Sequence, residues 1–199
     1  LSLVISFIVI PLSFSLRKKP TETRSAPNVT KNYLQTPKIA ISGKQLQFFL
    51  GLAGVGCCIA MAMPQVHIVA YCVGLGYGPT IGAEMLSLML ACGVISRISF
   101  GICADRLGGF YTLILSSTLQ MLSLFLFLPF NGMVSLYVVS AIFGLSQGGI
   151  VPSYTIVVRE FLPAHEAGQR IGIVLMLTIF GMAIGGWMSG WIFDQTGSY

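Results

Sequence analysis

The chain has 199 residues, of which 55% are hydrophobic and 9% charged, with a formal net charge of +5. Soluble domains carry about 25% charged residues, so this composition excludes a solvated globular surface. A nucleic-acid face is excluded as well: seven of the eleven Lys and Arg residues lie between Arg17 and Lys44, a clustering that reads as membrane topology.

Leu1–Leu16 is a short apolar run followed by Arg17, Lys18 and Lys19. A secretion signal places its charges before its apolar core, so residues 1–16 are predicted to be a partial transmembrane helix. Residues 17–44, with Pro20, Pro27 and Pro37 among Lys, Ser, Thr and Asn, read as a basic cytoplasmic linker. The sequon Asn28-Val29-Thr30 would not meet a glycosyltransferase on that side. Residues 45–199 are predicted to form a bundle of five transmembrane helices. Gln45–Tyr77 is too long for one straight helix and is expected to break at Pro64 and end at Gly74, Gly76 and Gly78. Met85–Ala104 is interrupted only by Arg97. Leu107–Val158 has to cross twice, turning at Pro129-Phe130-Asn131-Gly132. Ile171–Phe193 is the last crossing. Gly144–Gly148, Gly181–Gly185 and Gly186–Gly190 have the spacing that lets helix backbones approach closely, and Trp187 and Trp191 read as interface anchors. The five cysteines lie in apolar runs without metal-site spacing and read as small core residues.

The connectors alternate in charge. Residues 17–44, Asp105-Arg106 and the Arg159–Arg170 segment are basic or mixed, whereas Gly74–Glu84 and Pro129–Met133 carry no Lys or Arg. Positive-inside logic puts the first set in the cytoplasm. Single cysteines at Ser25 and Asn131, in a background without other cysteines, should therefore label from opposite sides of the membrane. Labelling of both from one side would end the six-span topology.

Few residues can carry chemistry in such a chain. Arg97 is a cation inside a span, which costs about 2.5–3.5 kcal/mol at the centre of a membrane helix on insertion scales. Its planar fork suits a carboxylate. The competing role is snorkelling, since it lies about 10 Å from the Ala104 end of its helix. His67 and Tyr71 share a helix face just beyond Pro64, and Gln65 sits at the expected break. Gln147 lies mid-span, with Tyr154 two turns further on. Glu84, at a helix end, reads as an interface residue. Gly144-Leu145-Ser146-Gln147-Gly148 has the G-x-S-x-G form with Glu160 and His165 downstream, but it lies in a helical span rather than a strand–turn–helix, so no enzyme is predicted. No metal or cofactor pattern is present, and no Walker sequence for ATP.

Gly101-Ile102-Cys103-Ala104-Asp105-Arg106-Leu107-Gly108-Gly109 resembles the G-x-x-x-D-R-x-G-[RG] signature of the major facilitator superfamily, at the place where that family carries it. Phe110 and Tyr111 replace the basic residues that usually follow it. The resemblance implies an all-α membrane protein: a major facilitator-type helical bundle in which these spans are helices six to eleven of twelve, a C-terminal half without helix twelve. Gly101, Asp105, Arg106 and Gly108 would then form a conformational latch against the N-terminal six-helix half. Ser96-Arg97-Ile98-Ser99-Phe100-Gly101, with Pro64 in the preceding helix, is similar to the monocarboxylate-porter-like branch, whose arginine contacts the substrate carboxylate. Gly93 stands where animal members commonly carry an aspartate.

The expectation is a multi-pass plasma (inner) membrane protein, a secondary transporter moving a small organic anion such as a monocarboxylate by alternating access. Its substrate-binding residues would be Arg97, Gln65, His67, Tyr71, Gln147 and Tyr154. Its partners would be the anion, a coupled proton as in symport, the lipid bilayer and the N-terminal half, with no nucleic acid. The rival readings are a carrier of a non-anionic solute with a structural Arg97, and a non-transporting receptor on the same bundle.

Overall fold

The computed structural model describes residues 42–129, 132–163 and 165–197. Among these lie six helices: α1 (Gly43–Gly74), α2 (Pro79–Leu107), α3 (Gly109–Phe125), α4 (Met133–Gln147), α5 (Ile150–Phe161) and α6 (Ala167–Thr196). Helices α4 and α5 are two parts of one apolar stretch, so the five segments in which crossings are expected after residue 44 correspond to α1, α2, α3, α4–α5 and α6. Four of these stretches are long and apolar enough to cross a membrane, and α3, with 17 residues, is shorter. The expected partial helix 1–16, nearly all of the linker 17–44, and Phe130-Asn131 in the turn lie outside the described residues.

The burial pattern is that of a helical bundle bathed in apolar solvent. Leu115, Leu119, Leu122 and Phe125 of α3 are exposed, whereas Thr112, Ser116, Gln120 and Ser123 of the same helix are buried. In a bilayer the polar face has to turn inward, where hydrogen bonds can be made. Ser123 Oγ meets Ser146 Oγ at 3.0 Å, and Gln120 Nε2 donates to the Cys57 carbonyl at 3.0 Å. Trp187 and Trp191 are exposed on α6, as interface anchors would be.

Glycines set the helix spacing. A Cβ on Gly181 or Gly185 would stand 2.6 Å from the Val55 carbonyl oxygen or 2.5 Å from that of Ile59, so α6 lies directly on the α1 backbone. Gly144 and Gly148 do the same between α4 and α2, the first facing the Met89 carbonyl and the second Ser96 and the Gly93 carbonyl. Gly186 and Gly190 face Val66 and His67 across the α1–α6 contact. The first two predicted glycine pairs are thus positions of close backbone approach, whereas Gly186 and Gly190 leave room for a methyl group in ordinary contact with side chains.

The break is not where the sequence suggested. Helix α1 runs unbroken through Pro64 and ends at Gly74 as expected. The interruption falls instead at Gly148-Gly149, between α4 and α5. Pro152 explains it. A proline lacks the N–H that would bond to the carbonyl four residues back, here Gly148, and its ring crowds that carbonyl. With two glycines at that point, the chain has little cost in leaving helical geometry. Ser96 Oγ, from α2, donates to the Leu145 carbonyl at 2.5 Å beside the break.

One end of the bundle is tied by Arg170. Its guanidinium reaches Glu166 (2.5 Å), Gln47 Oε1 (2.7 Å) and the Gly43 carbonyl (3.3 Å), joining the starts of α6 and α1. The Arg170 hydrogen bond and charge hold the Glu166 carboxyl below its ordinary range. A lowered folded-state pKa adds stability above the ordinary carboxylate value and loses it as pH falls through the lowered one. Wild type should therefore melt above Glu166→Gln at neutral pH, and the two should converge in acid.

Candidate functional site

Three of the predicted residues come together. Gln65 of α1, Arg97 of α2 and Gln147 at the end of α4 line one open cavity of about 310 Å³, with Met61, Leu90, Gly93, Val94, Gly148, Val151 and Met182. That volume is at the lower end of the range for small-molecule sites. Gln147 is the last residue of α4, and Val151, in the first turn of α5, lines the same cavity beyond the break. Gln65 Nε2 donates to Gln147 Oε1 at 2.7 Å, closing one side of the cavity with an amide pair. Gln147 is 5% exposed, held by its surroundings, while Arg97 is exposed. No described residue gives Arg97 a hydrogen bond or an ion pair. An uncompensated guanidinium above an apolar floor attracts an anion and orients a carboxylate through two parallel N–H donors.

His67 and Tyr71 face elsewhere. They line a second cavity of about 260 Å³ with Met63, Pro64, Ile68, Phe127, Leu128, Ser189 and Ile192. His67 Nε2 lies 2.9 Å from the Gly186 carbonyl. A carbonyl only accepts, so the Nε2–H is the donor and ties α1 to α6. Tyr154 lines neither cavity. It is 1% exposed in the apolar core, its hydroxyl without an oxygen or nitrogen partner among the described residues and beside the Cys57 thiol. Glu84 accepts a hydrogen bond from the Tyr137 hydroxyl, joining α2 to α4 at the other end of the bundle.

The signature segment forms the α2–α3 hairpin. Helix α2 ends at Leu107 and α3 begins at Gly109, with Gly108 between them at φ 84°, a conformation that favours glycine. Asp105 and Arg106 are exposed and bond to no described residue. A side chain on Gly101 would meet nothing within 4 Å, so no described neighbour requires its small size. The N-terminus of α3 is capped by Glu160 of α5, whose carboxylate accepts from the buried Gly109 N–H at 2.9 and 3.2 Å. Sequence reasoning missed this residue. The available signal was an acid at the end of the crossing that follows the hairpin. A carboxylate here meets both an orphan N–H and the positive end of the helix dipole. Glu160→Ala should cost about 1–2 kcal/mol, read as a lower melting temperature in detergent, because it strands that donor. An unchanged melting temperature would show that the cap is not needed.

The sequence profile of the Major Facilitator Superfamily matches residues 1–186. Monocarboxylate transporter 13 of Rattus norvegicus is 30% identical over 139 residues, covering 69% of this chain and 32% of the relative. The gallate transporter of Pseudomonas putida is 29% identical over 122 residues, 61% of this chain and 26% of the relative. Probable anion transporter 5 of Arabidopsis thaliana is 29% identical over 114 residues, 57% of this chain and 26% of the relative. The chain thus spans about a third of the length of the relatives it matches. No solved structure matches it. With a profile covering most of its length, a glycine-packed apolar bundle and the signature hairpin in place, the chain belongs to the major facilitator superfamily, on the side of its monocarboxylate-transporter-like branch.

Proposed function

We propose that the chain is the substrate-binding C-terminal half of a secondary transporter for a small organic anion, a monocarboxylate. The observation that carries the reading is Arg97, without an ion pair or hydrogen bond among the described residues, beside the Gln65–Gln147 amide pair in one open cavity. The relatives' names, which speak of monocarboxylates, gallate and anions, agree with it. Transport would proceed by alternating access, the cavity opening to one side of a plasma membrane and then the other as this half rocks against an N-terminal six-helix half. Gly101, Asp105 and Arg106 would meet that half at the α2–α3 hairpin and hold one access state, with Gly108 shaping the turn and Glu160 stiffening it. His67 would serve the α1–α6 contact rather than the anion, and Tyr71 would pack against the cluster of Ile68, Cys72, Met85 and Leu136. A proton is the ion this reading would couple to the anion. The reading implies no enzymatic step. The test is uptake of a labelled monocarboxylate by vesicles bearing the full-length protein. Saturable, trans-stimulated uptake is expected. Binding without movement would make the protein a receptor instead.

A further inference from the structure

The break between α4 and α5 separates backbone groups from their helical partners. In a continuous helix the Leu145 carbonyl would accept from the N–H of Gly149, four residues on. Gly149 lies outside both helices, and no backbone N–H of a described residue beyond the break bonds to the Leu145 carbonyl. Water is scarce inside a bilayer, so a carbonyl freed there needs another donor. Ser96 of α2 supplies it: the side chain is buried, and its hydroxyl donates to the Leu145 carbonyl at 2.5 Å. Other serines of α2 bond within their own helix, Ser87 to the Ala83 carbonyl and Ser99 to that of Ile95. Ser96 crosses to α4 instead.

Helix α2 also grips the break by contact. A Cβ on Gly148 would stand 2.6 Å from the Gly93 carbonyl oxygen and 2.6 Å from Ser96 Cβ, and one on Gly149 would stand 2.6 Å from Phe100 Cβ. Gly93, Ser96 and Phe100 are spaced as one helix face. That face holds both glycines by close approach and Leu145 by a hydrogen bond. Arg97 follows Ser96 in the chain, and Gln147 lies in the same turn as Leu145. One hydroxyl therefore joins the two helix turns that carry Arg97 and Gln147.

We infer that Ser96 is a positioning residue: its hydroxyl pins the α4–α5 break and fixes where Gln147 stands relative to Arg97. Pro152 makes the pin necessary. Without an N–H at that position the helix cannot close over the Gly148 carbonyl, the chain leaves helical geometry at the two glycines, and Leu145 is left to Ser96. The pin is a matter of backbone bonding and stands apart from the ligand's identity. Its effect on binding rests on the anion reading above.

The experiment measures the distance between spin labels at Val134→Cys of α4 and Arg159→Cys of α5, both exposed positions, in full-length protein stripped of native cysteines. Ser96→Ala should broaden the distance distribution across the break. Ser96→Cys, which keeps the size and weakens the donor, should fall between Ala and the native serine. Pro152→Ala restores the missing N–H and lets Gly149 reach Leu145, so in that background Ser96→Ala should change nothing further. A distribution unmoved by Ser96→Ala would overturn the pin. An equal change in both backgrounds would overturn it too, since Ser96 would then act by packing alone. In parallel, Ser96→Ala should weaken binding of butyrate and benzoate about tenfold without abolishing it, because Arg97 remains. Unchanged binding beside a broadened distribution would overturn the positioning role. If Arg97→Ala binds both acids as the wild type does, the anion reading falls, and the spin labels alone decide the pin.

Discussion

Arg97→Ala in the full-length protein should abolish anion transport while leaving its abundance in the membrane near that of the wild type. The guanidinium belongs to the cavity lining and has no ion pair or hydrogen bond to any described residue, so its removal breaks no described polar contact. The loss would fall on the ligand. A desolvated, hydrogen-bonded charge pair typically costs about 2–5 kcal/mol to break, which is about 30-fold or more in affinity. Arg97→Lys should recover little, because an ammonium is a point charge and cannot hold both carboxylate oxygens in one plane. A snorkelling arginine behaves differently: lysine would serve as well, and both variants would transport. Uptake at matched expression separates the two roles.

Gly144→Ala should be the most damaging small substitution in the bundle. The new Cβ would be driven into the Met89 carbonyl oxygen and would stand 2.8 Å from Cys92 Cβ. These are backbone and near-backbone atoms, so relief requires α2 and α4 to move apart. Overpacking of this kind costs about 1–3 kcal/mol, and more where backbone has to shift. The displacement reaches the site, because Arg97 rides on α2 and Gln147 ends α4. Gly56→Ala is the matched control, with nothing within 4 Å of the added methyl group. It should be neutral or gain up to about 1 kcal/mol from helix propensity. Thermal unfolding in detergent should separate the two variants by several degrees, with the Gly144 variant also losing transport. Equal melting temperatures would show that the close α2–α4 approach is not required.

Charge counting anticipated the helices because a bilayer permits few polar interruptions: α1, α2, α3, α4–α5 and α6 follow the uncharged runs, and four of these stretches are long and apolar enough to cross a membrane. The glycine pairs were legible for a similar reason, since spacing alone identifies a small-residue ridge. The break was harder. Pro64 and Pro152 both interrupt apolar runs, but Pro64 is flanked by Met63 and Gln65 and its helix packs along α6 through Val55 and Ile59. Pro152 instead follows two adjacent glycines, so the lost hydrogen bond and the flexible backbone act at one place. Which faces meet was not legible either. Gln65, Gln147, His67 and Tyr71 are all polar residues in apolar helices, and periodicity does not tell which of them turn toward Arg97. The packing of α6 on α1 sends His67 to Gly186, while the break sends Gln147 to Gln65. Tyr154 was placed by helical period alone and falls on the core side of α5.

Ligand protection of a cysteine in the cavity tests the central claim most directly. In full-length protein stripped of native cysteines, Val151→Cys would place a thiol on the wall shared by Arg97, Gln65 and Gln147, and Ile192→Cys would place one in the second cavity. A monocarboxylate substrate should slow maleimide labelling at position 151 in a saturable way and leave position 192 unaffected. Its uncharged amide should give no protection, and Arg97→Ala should remove the protection altogether. Protection by the amide, or protection that persists in Arg97→Ala, would contradict the assignment of this cavity to a carboxylate held by Arg97.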